Sequence, residues 1–237
     1  MKLTILGMNG PFPAPGGATS GYLLESDSGE TKLLIECGSG VLARATRYVK
    51  IEELTAIVLS HLHFDHMSDM GVLQYLLQFT PMRRNLPVIA PQEPETVRRL
   101  IECDRLDFIE PQDRTIGEMR LSFLPAVHPV PGVCLRVECD GRSFFYTGDT
   151  NQAPGLELMA NGANLILADA GLTNAQWNPA APHLSAGLCG ELARDAGAEA
   201  LILTHLRPGN DPETLLSQAQ AAFPGAQLAK AGSRYVI

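Results

Sequence analysis

No uncharged apolar run in this 237-residue chain approaches the roughly 18 residues that a membrane-spanning helix needs. A transmembrane helix is therefore excluded. The chain also lacks an excess of positive charge: 18 Lys and Arg face 26 Asp and Glu, for a net charge of -8. That balance argues against broad electrostatic binding to nucleic acid or to an anionic membrane, although it leaves room for a local basic pocket. There is no CxxC spacing. The five cysteines (37, 103, 134, 139 and 189) are odd in number and scattered, which suits a reducing compartment with buried, inert thiols. Cys134 and Cys139 stand five apart on an expected strand, so they face opposite sides and are not expected to pair. Linker-like and low-complexity stretches are missing too, so residues 1–237 read as one domain. The opening MKLTILGMNGPFPAPGG has only a short apolar run before Gly and Pro. It reads as a strand and a loop, not a signal peptide, and the expected location is cytoplasmic.

What is present is an ordinary globular mix, with 45% apolar and 19% charged residues, enough to bury a core unaided. Short apolar runs bounded by turn residues predict strands at 2–6, 31–36, 55–60, 86–90, 119–124, 133–138, 143–147, 164–168 and 200–204. Helical periodicity spans 67–79, with Met67, Met70, Leu73, Leu76 and Leu77 on one face. A second helix spans 185–197, with Ser185 as N-cap and Gly197 after the last turn. A third starts after Asp211, with Pro212 at its first position. Strands and helices interleave, so the fold class is α/β.

The chain has only six histidines, and three fall in His61-Leu62-His63-Phe64-Asp65-His66, directly after the apolar run TAIVLS. His61 and His63, two apart on extended chain, face the same side and can converge on one ion. Asp65 and His66 lie past the strand end and can face a second ion beside it. Imidazoles with carboxylate suit zinc, iron or manganese. The remaining pattern repeats the arrangement. His128 follows MRLSFLPAV, Asp149 follows SFFYTG, and His205 follows ALILT, each at the carboxyl end of an apolar strand, where α/β sites lie.

In order and spacing, HLHFDH, His128, YTGDT and LTHLRP resemble the motifs of the metallo-β-lactamase fold superfamily, over residues 3 to 207. The resemblance implies a four-layer αββα sandwich with metals in a cleft at one edge. It also implies that His61, His63 and His128 hold one divalent ion, that Asp65, His66 and His205 hold another, and that Asp149 bridges them. Zinc is the expected metal, with manganese or iron as alternatives. Zinc β-lactamases usually lack a bridging aspartate at the position of Asp149. The tract NLILADAGLT, followed by HLSAGLCGELARDAGAEALILTHLRP, is similar instead to the ribonuclease Z group. There an acidic residue at the position of Asp169 and a histidine at that of His183 assist the leaving group. Asp169 stands where that group normally has Glu. The group's long tRNA-gripping arm has no counterpart between Pro91 and His128. Transfer RNA is therefore not the expected partner, and a small phosphodiester is.

Two metals sharing one water lower its pKa, with a single zinc reaching ~7, so that a metal-bridged hydroxide exists at neutral pH. Asp65 can orient this nucleophile while it ligates. His183, the one histidine outside the metal set, is the natural proton donor, held in its tautomer by Asp169. The expected activity is a dinuclear phosphodiesterase. A hydrolase of carbon esters, such as lactones or thioesters, would share the ligands but depend less on the Asp169–His183 pair. A non-catalytic metal-binding protein would be expected to have lost ligands. Phe12, Trp177 and Arg207 are candidates for substrate contact or for plain packing and surface roles. Cys37, in a Cys-Gly-Ser-Gly turn, reads as a buried thiol more than a nucleophile. Oligomeric state is left open, a homodimer included.

Overall fold

The computed structural model describes residues 1–237. Most of the apolar runs are strands buried on both faces, which is why they read as nearly continuous hydrophobic segments. The first sheet contains β1 (Lys2–Gly7), β2 (Gly21–Glu25), β3 (Lys32–Ile35), β4 (Ala56–Val58), β5 (Leu86–Ile89) and β6 (Leu106–Ile109). The second contains β7 (Arg114–Ile116), β8 (Met119–Pro125), β9 (Val133–Cys139), β10 (Arg142–Tyr146), β11 (Leu165–Asp169), β12 (Leu201–Thr204) and β13 (Gln227–Leu228). The last strand, β14 (Arg234–Val236), returns to pair antiparallel with β1, with Leu3 opposite Tyr235.

Side-chain alternation sorts each strand between two cores. Leu33 and Ile35 of β3 face the space between the sheets, whereas Leu34 faces outward under the helices. Phe144 and Tyr146 of β10 likewise face inward, and Phe145 outward. Cys134 and Cys139 of β9 fall into different cores, as their spacing requires, and all five cysteines are unpaired. The outer face of the first sheet is covered by α1 (Val41–Ala45) and α3 (Asp69–Phe79), which follows the single-turn α2 (Phe64–Met67). Another short helix, α4 (Glu95–Arg98), leads from β5 towards β6. The second sheet is covered by α5 (Leu156–Ala160), α6 (Ala186–Asp195) and α7 (Pro212–Gln220). The result is the expected four-layer sandwich of two mixed sheets between helices. A fully buried Leu or Ile in these cores contributes roughly 1.5–3 kcal/mol.

The helix expected over 67–79 is broken. It begins early, as α2, and restarts as α3, because the His66 carbonyl accepts from Cys37 N at 2.7 Å and so leaves the helical ladder. The other two helices start as expected: Ser185 Oγ accepts from Leu188 N, and Asp211 caps α7 ahead of Pro212. No helix is long and apolar enough to cross a membrane.

Topology positions the site. Strands β3 to β6 run parallel, as do β10 to β13, and β8 shares the direction of β10 through antiparallel β9. Their carboxyl ends therefore lie along one edge of each sheet.

Candidate metal centre

Each candidate side chain lies just beyond a strand. His61 follows β4 by way of Leu59 and Ser60, and His63 is the N-cap residue of α2, which carries Asp65 and His66. His128 follows β8, Asp149 follows β10, Asp169 ends β11 and His205 follows β12. His183 approaches from the loop before α6.

The structure brings all nine together. His63 Nδ1 lies 3.0 Å from His61 Nε2 and 3.1 Å from His128 Nε2, so three ring nitrogens face one point. Beside them, His205 Nε2 is 3.1 Å from Asp65 Oδ2 and 3.3 Å from Asp149 Oδ2, and His66 Nε2 is 3.3 Å from the same Asp149 oxygen. Asp149 Oδ2 also lies 3.7 Å from His61 Nε2, which places this carboxylate between the two groups. Within each group the potential ligand atoms lie within 4.8 Å of one another. A third grouping adds Asp169 and His183 to Asp149 and His205. Here His183 Nδ1 stands 2.8 Å from Asp169 Oδ2 and 3.7 Å from Asp149 Oδ2.

Behind the ring nitrogens stands an orienting layer. His61 Nδ1 lies 3.0 Å from Ser60 Oγ, His128 Nδ1 2.9 Å from the Pro182 carbonyl, and His205 Nδ1 3.3 Å from Asp169 Oδ1. His66 Nδ1 faces Glu36 Oε1 at 3.3 Å. Glu36 is fully buried, and its carboxylate also accepts from Ser60 N at 3.1 Å. Glu36 and His205 are two of only three non-glycine residues with positive φ (60° and 54°), a conformation that costs on the order of 1 kcal/mol or more. Both conformations aim side chains at the cluster.

Charge divides the site into two halves. Burial pushes His61 well below the ordinary imidazole range, with His66 adding to it, and burial likewise lowers His63 and His128. Neutral imidazoles are the form that binds metals. In the other half, burial opposes the charge on His66, but Asp149 and Glu36 outweigh it and lift this group to about 10. Burial opposes His205 in the same way, and Asp149 and Asp169 raise it well above its usual value. Asp149 is held well below the carboxylate range because His205 and His66 overcome its desolvation. Positive charge is thus demanded among these carboxylates. Nδ1 and Nε2 of His66 and Oδ1 of Asp149 are buried without a hydrogen-bond partner. Buried polar groups left so cost free energy, and a cation among them would remove that cost. The donor set of imidazoles and carboxylates fits divalent cations of the zinc, manganese or iron type.

Other sequence candidates fall outside the cluster. Phe12 is exposed on the first loop, and Arg207 is exposed after β12. Cys37 is buried, which pushes its thiol up and keeps it protonated, so it is no nucleophile. The single tryptophan, Trp177, is half-buried and donates its indole N–H to Asn151 Oδ1 at 3.1 Å. Sequence reasoning missed Glu36, Asn151 and Gly10. Glu36 had a usable signal, an acidic residue at the end of an apolar strand. Gly10 had none: a Cβ there would stand 2.0 Å from His205 Nε2, so only glycine leaves room for the ring.

A family model described as the beta-lactamase superfamily domain matches residues 31–206. The probable metallo-hydrolase YhfI of Bacillus subtilis is 32% identical over 241 residues, covering 98% of each chain. The crystal structure of YhfI, described as a metallo-beta-lactamase fold protein, superposes with a TM-score of 0.92 over 99% of both chains. A ribonuclease Z of Mycolicibacterium gilvum is 29% identical, covering 90% of this chain and 88% of its own. Human tRNase Z, short form, shares the fold at a TM-score of 0.81 with 18% identity, over 100% of this chain and 99% of its own. With its sandwich, its edge cluster of histidines and aspartates and these relatives, the chain belongs to the metallo-β-lactamase fold superfamily, in its ribonuclease Z-like branch, and is a metallo-hydrolase.

Proposed function

We propose that this single-domain chain is a dinuclear phosphodiesterase that hydrolyses a small phosphodiester. His61, His63 and His128 would hold one cation, Asp65, His66 and His205 a second, and Asp149 would lie between them. Zinc is the first choice of metal. Five unpaired cysteines support action in the reducing cytoplasm. Bound there, divalent cations supply Lewis acidity, acidifying water and neutralising charge on the phosphoryl oxygens. The observation that carries the reading is the Asp169–His183 pair, 2.8 Å apart beside Asp149.

A leaving alkoxide needs a proton, and this chain has a group built to give one. Burial opposes the charged form of His183, but Asp169 raises its affinity for a proton above the ordinary imidazole value. Asp169 is fixed in turn. Its backbone N–H donates to Thr147 Oγ1 at 2.9 Å, and its Oδ1 accepts from Gly171 N at 2.9 Å. With Nδ1 engaged by Asp169, Nε2 of His183 is the nitrogen left to deliver a proton to the departing oxygen. The two oxygens of Asp169 serve separate rings, Oδ2 towards His183 and Oδ1 towards His205. Asp65 would hold the attacking water as well as ligate. Transfer RNA is not the substrate in this reading. The tract from Pro91 to His128 is taken up by α4 and β6 to β8, which leaves no long gripping arm.

The test is His183→Ala on two substrates. On a dinucleoside monophosphate such as UpU, whose ribose leaving group must be protonated, the rate should fall ~10²–10⁴-fold at unchanged metal content. On bis(4-nitrophenyl) phosphate, whose leaving group needs little protonation, the loss should be much smaller. Equal losses would make His183 a substrate-positioning group. No loss on either, with turnover of an aryl ester, would move the activity to carbon esters.

A further inference from the structure

The loop that brings in His183 is poorly held by packing. Between Gly171 and His183 there is no helix and no strand beyond an isolated bridge at Leu172, and Asn174, Ala175, Gln176, Asn178, Pro179 and Ala180 are all exposed. Its first half is tied by polar contacts to Asn210, whose Nδ2 donates to Gly171 O at 3.1 Å and whose Oδ1 accepts from Gln176 Nε2 at 3.0 Å. Its second half, nearest His183, converges on one residue. Asn151 is 3% exposed and stands two positions after Asp149. Its Nδ2 donates to Ala181 O at 2.7 Å and faces Pro179 O at 3.2 Å and Asn178 O at 3.4 Å. Its Oδ1 accepts from Trp177 Nε1 at 3.1 Å and from Gln152 N at 2.8 Å. A carboxamide offers two donors and an oxygen that can accept twice, so this one is fully used.

The same short run also holds the opposite wall. Asn151 N donates to Val127 O at 2.9 Å, and Thr150 Oγ1 accepts from Val127 N at 3.0 Å, next to His128. His128 Nδ1 in turn meets Pro182 O at 2.9 Å, one residue before His183. Asp149, Thr150 and Asn151 therefore link the centre of the metal cluster, the His128 turn and the His183 loop through a continuous set of hydrogen bonds.

We propose that Asn151 is a positioning residue: its side-chain amide latches the 177–181 segment to the metal edge, and this latch sets the reach of His183 to Asp169 and to the leaving group. Asn151 acts through His183 and touches no reacting atom. Its effect on rate rests on the reading of His183 as the proton donor; its effect on the loop does not. Losing the latch leaves the loop anchored at its far half, by the His128–Pro182 contact and by the His183–Asp169 pair itself. A misplacement of about 1 Å is enough to cost ~10²-fold in a positioned proton transfer.

Trp177 makes the latch observable, because it is the only tryptophan and bonds directly to Asn151. Asn151→Leu keeps the bulk and removes every polar atom. In the metal-loaded protein it should shift tryptophan emission to the red, raise quenching by acrylamide and speed amide exchange across residues 177–183, at wild-type metal content. Turnover of UpU should fall ~10–10²-fold and that of bis(4-nitrophenyl) phosphate less than ~3-fold. In a His183→Ala background, Asn151→Leu should add almost nothing to the UpU loss, since two residues acting as one unit are not additive. Trp177→Phe removes the indole donor and the fluorophore with it, so its readouts are amide exchange and turnover. It should give a milder form of the same leaving-group pattern, and it serves if the leucine variant fails to fold. Wild-type emission and exchange in Asn151→Leu would overturn the latch. So would equal losses on both substrates, or additive losses in the double variant. If His183→Ala itself shows no leaving-group dependence, the phosphodiesterase reading fails, and emission and exchange still decide the latch.

Discussion

At the scale of single residues, the site combines groups that a sequence announces with groups it hides. HxHxDH is legible because four ligand-type residues crowd one strand end. His128, Asp149 and His205 are legible only as a set, since each alone is an ordinary residue after an apolar run. Gly10 is hidden because its role is a contact made across the fold, whereas Glu36 carries a signal as an acidic residue at the end of an apolar strand. Asp149 is the most exacting position, with His61, His66 and His205 all within 3.7 Å of one oxygen. Asp149→Ala should strip charge from both halves, lower metal content measured by elemental analysis and cut the rate by orders of magnitude. Full metal content with near-normal turnover would remove Asp149 from the ligand set. Gly10→Ala is a subtler probe. The new methyl would overlap the His205 ring, so that ring must turn away, and its share of metal binding should weaken by ~10–100-fold. A metal titration that matches the wild type would show that the first loop yields instead.

At the scale of elements, legibility follows burial. The nine strands expected from apolar runs all form, because most are sealed by a sheet on one side and helices on the other. Most of the strands missed escape this rule. Strands β6, β7 and β14 are partly exposed, β13 is two residues long, and β2, though buried, is preceded by a Pro/Gly tract that disguises its start. Helix α1 is five residues long and starts after Gly40 in the left-handed region, so it has no periodicity to read. Helix α6 shows what an element needs beyond its cap. Where it crosses α7, a Cβ on Gly190 would stand 2.3 Å from the Ala219 carbonyl oxygen. Gly190→Val should force the helices apart and cost ~1–3 kcal/mol. For a chain of this size that is a fall of ~2–10 °C in Tm, read by calorimetry. Metal content should hold, since α6 bears none of the cluster histidines. An unchanged Tm would mean that α7 shifts without loss.

At the scale of the whole molecule, a chain of net charge -8 gathers all six of its histidines at one edge, and this couples metal, proton and stability. The sign follows from His66, the imidazole enclosed by two carboxylates. His66 binds its proton more tightly folded than unfolded, because Asp149 and Glu36 lift it to about 10 against its burial. Its contribution is therefore fully present below the unfolded value of ~6.5 and is lost as pH rises through about 10. His205 and His183, also raised, act in the same direction. Chelated protein should thus lose stability steadily from neutral to alkaline pH. Loaded protein should not, because cations take the place of those protons and bind more tightly as the protons leave. At a free metal concentration 100 times its Kd, one site adds ~2.7 kcal/mol. The gap in Tm between loaded and chelated protein should therefore widen from pH 7 to pH 9.5, measured by calorimetry at fixed free metal. A constant gap would mean that the carboxylates do not hold these protons in the absence of metal. His61, His63 and His128, depressed by burial, add almost no slope over this range, because their titration lies below it.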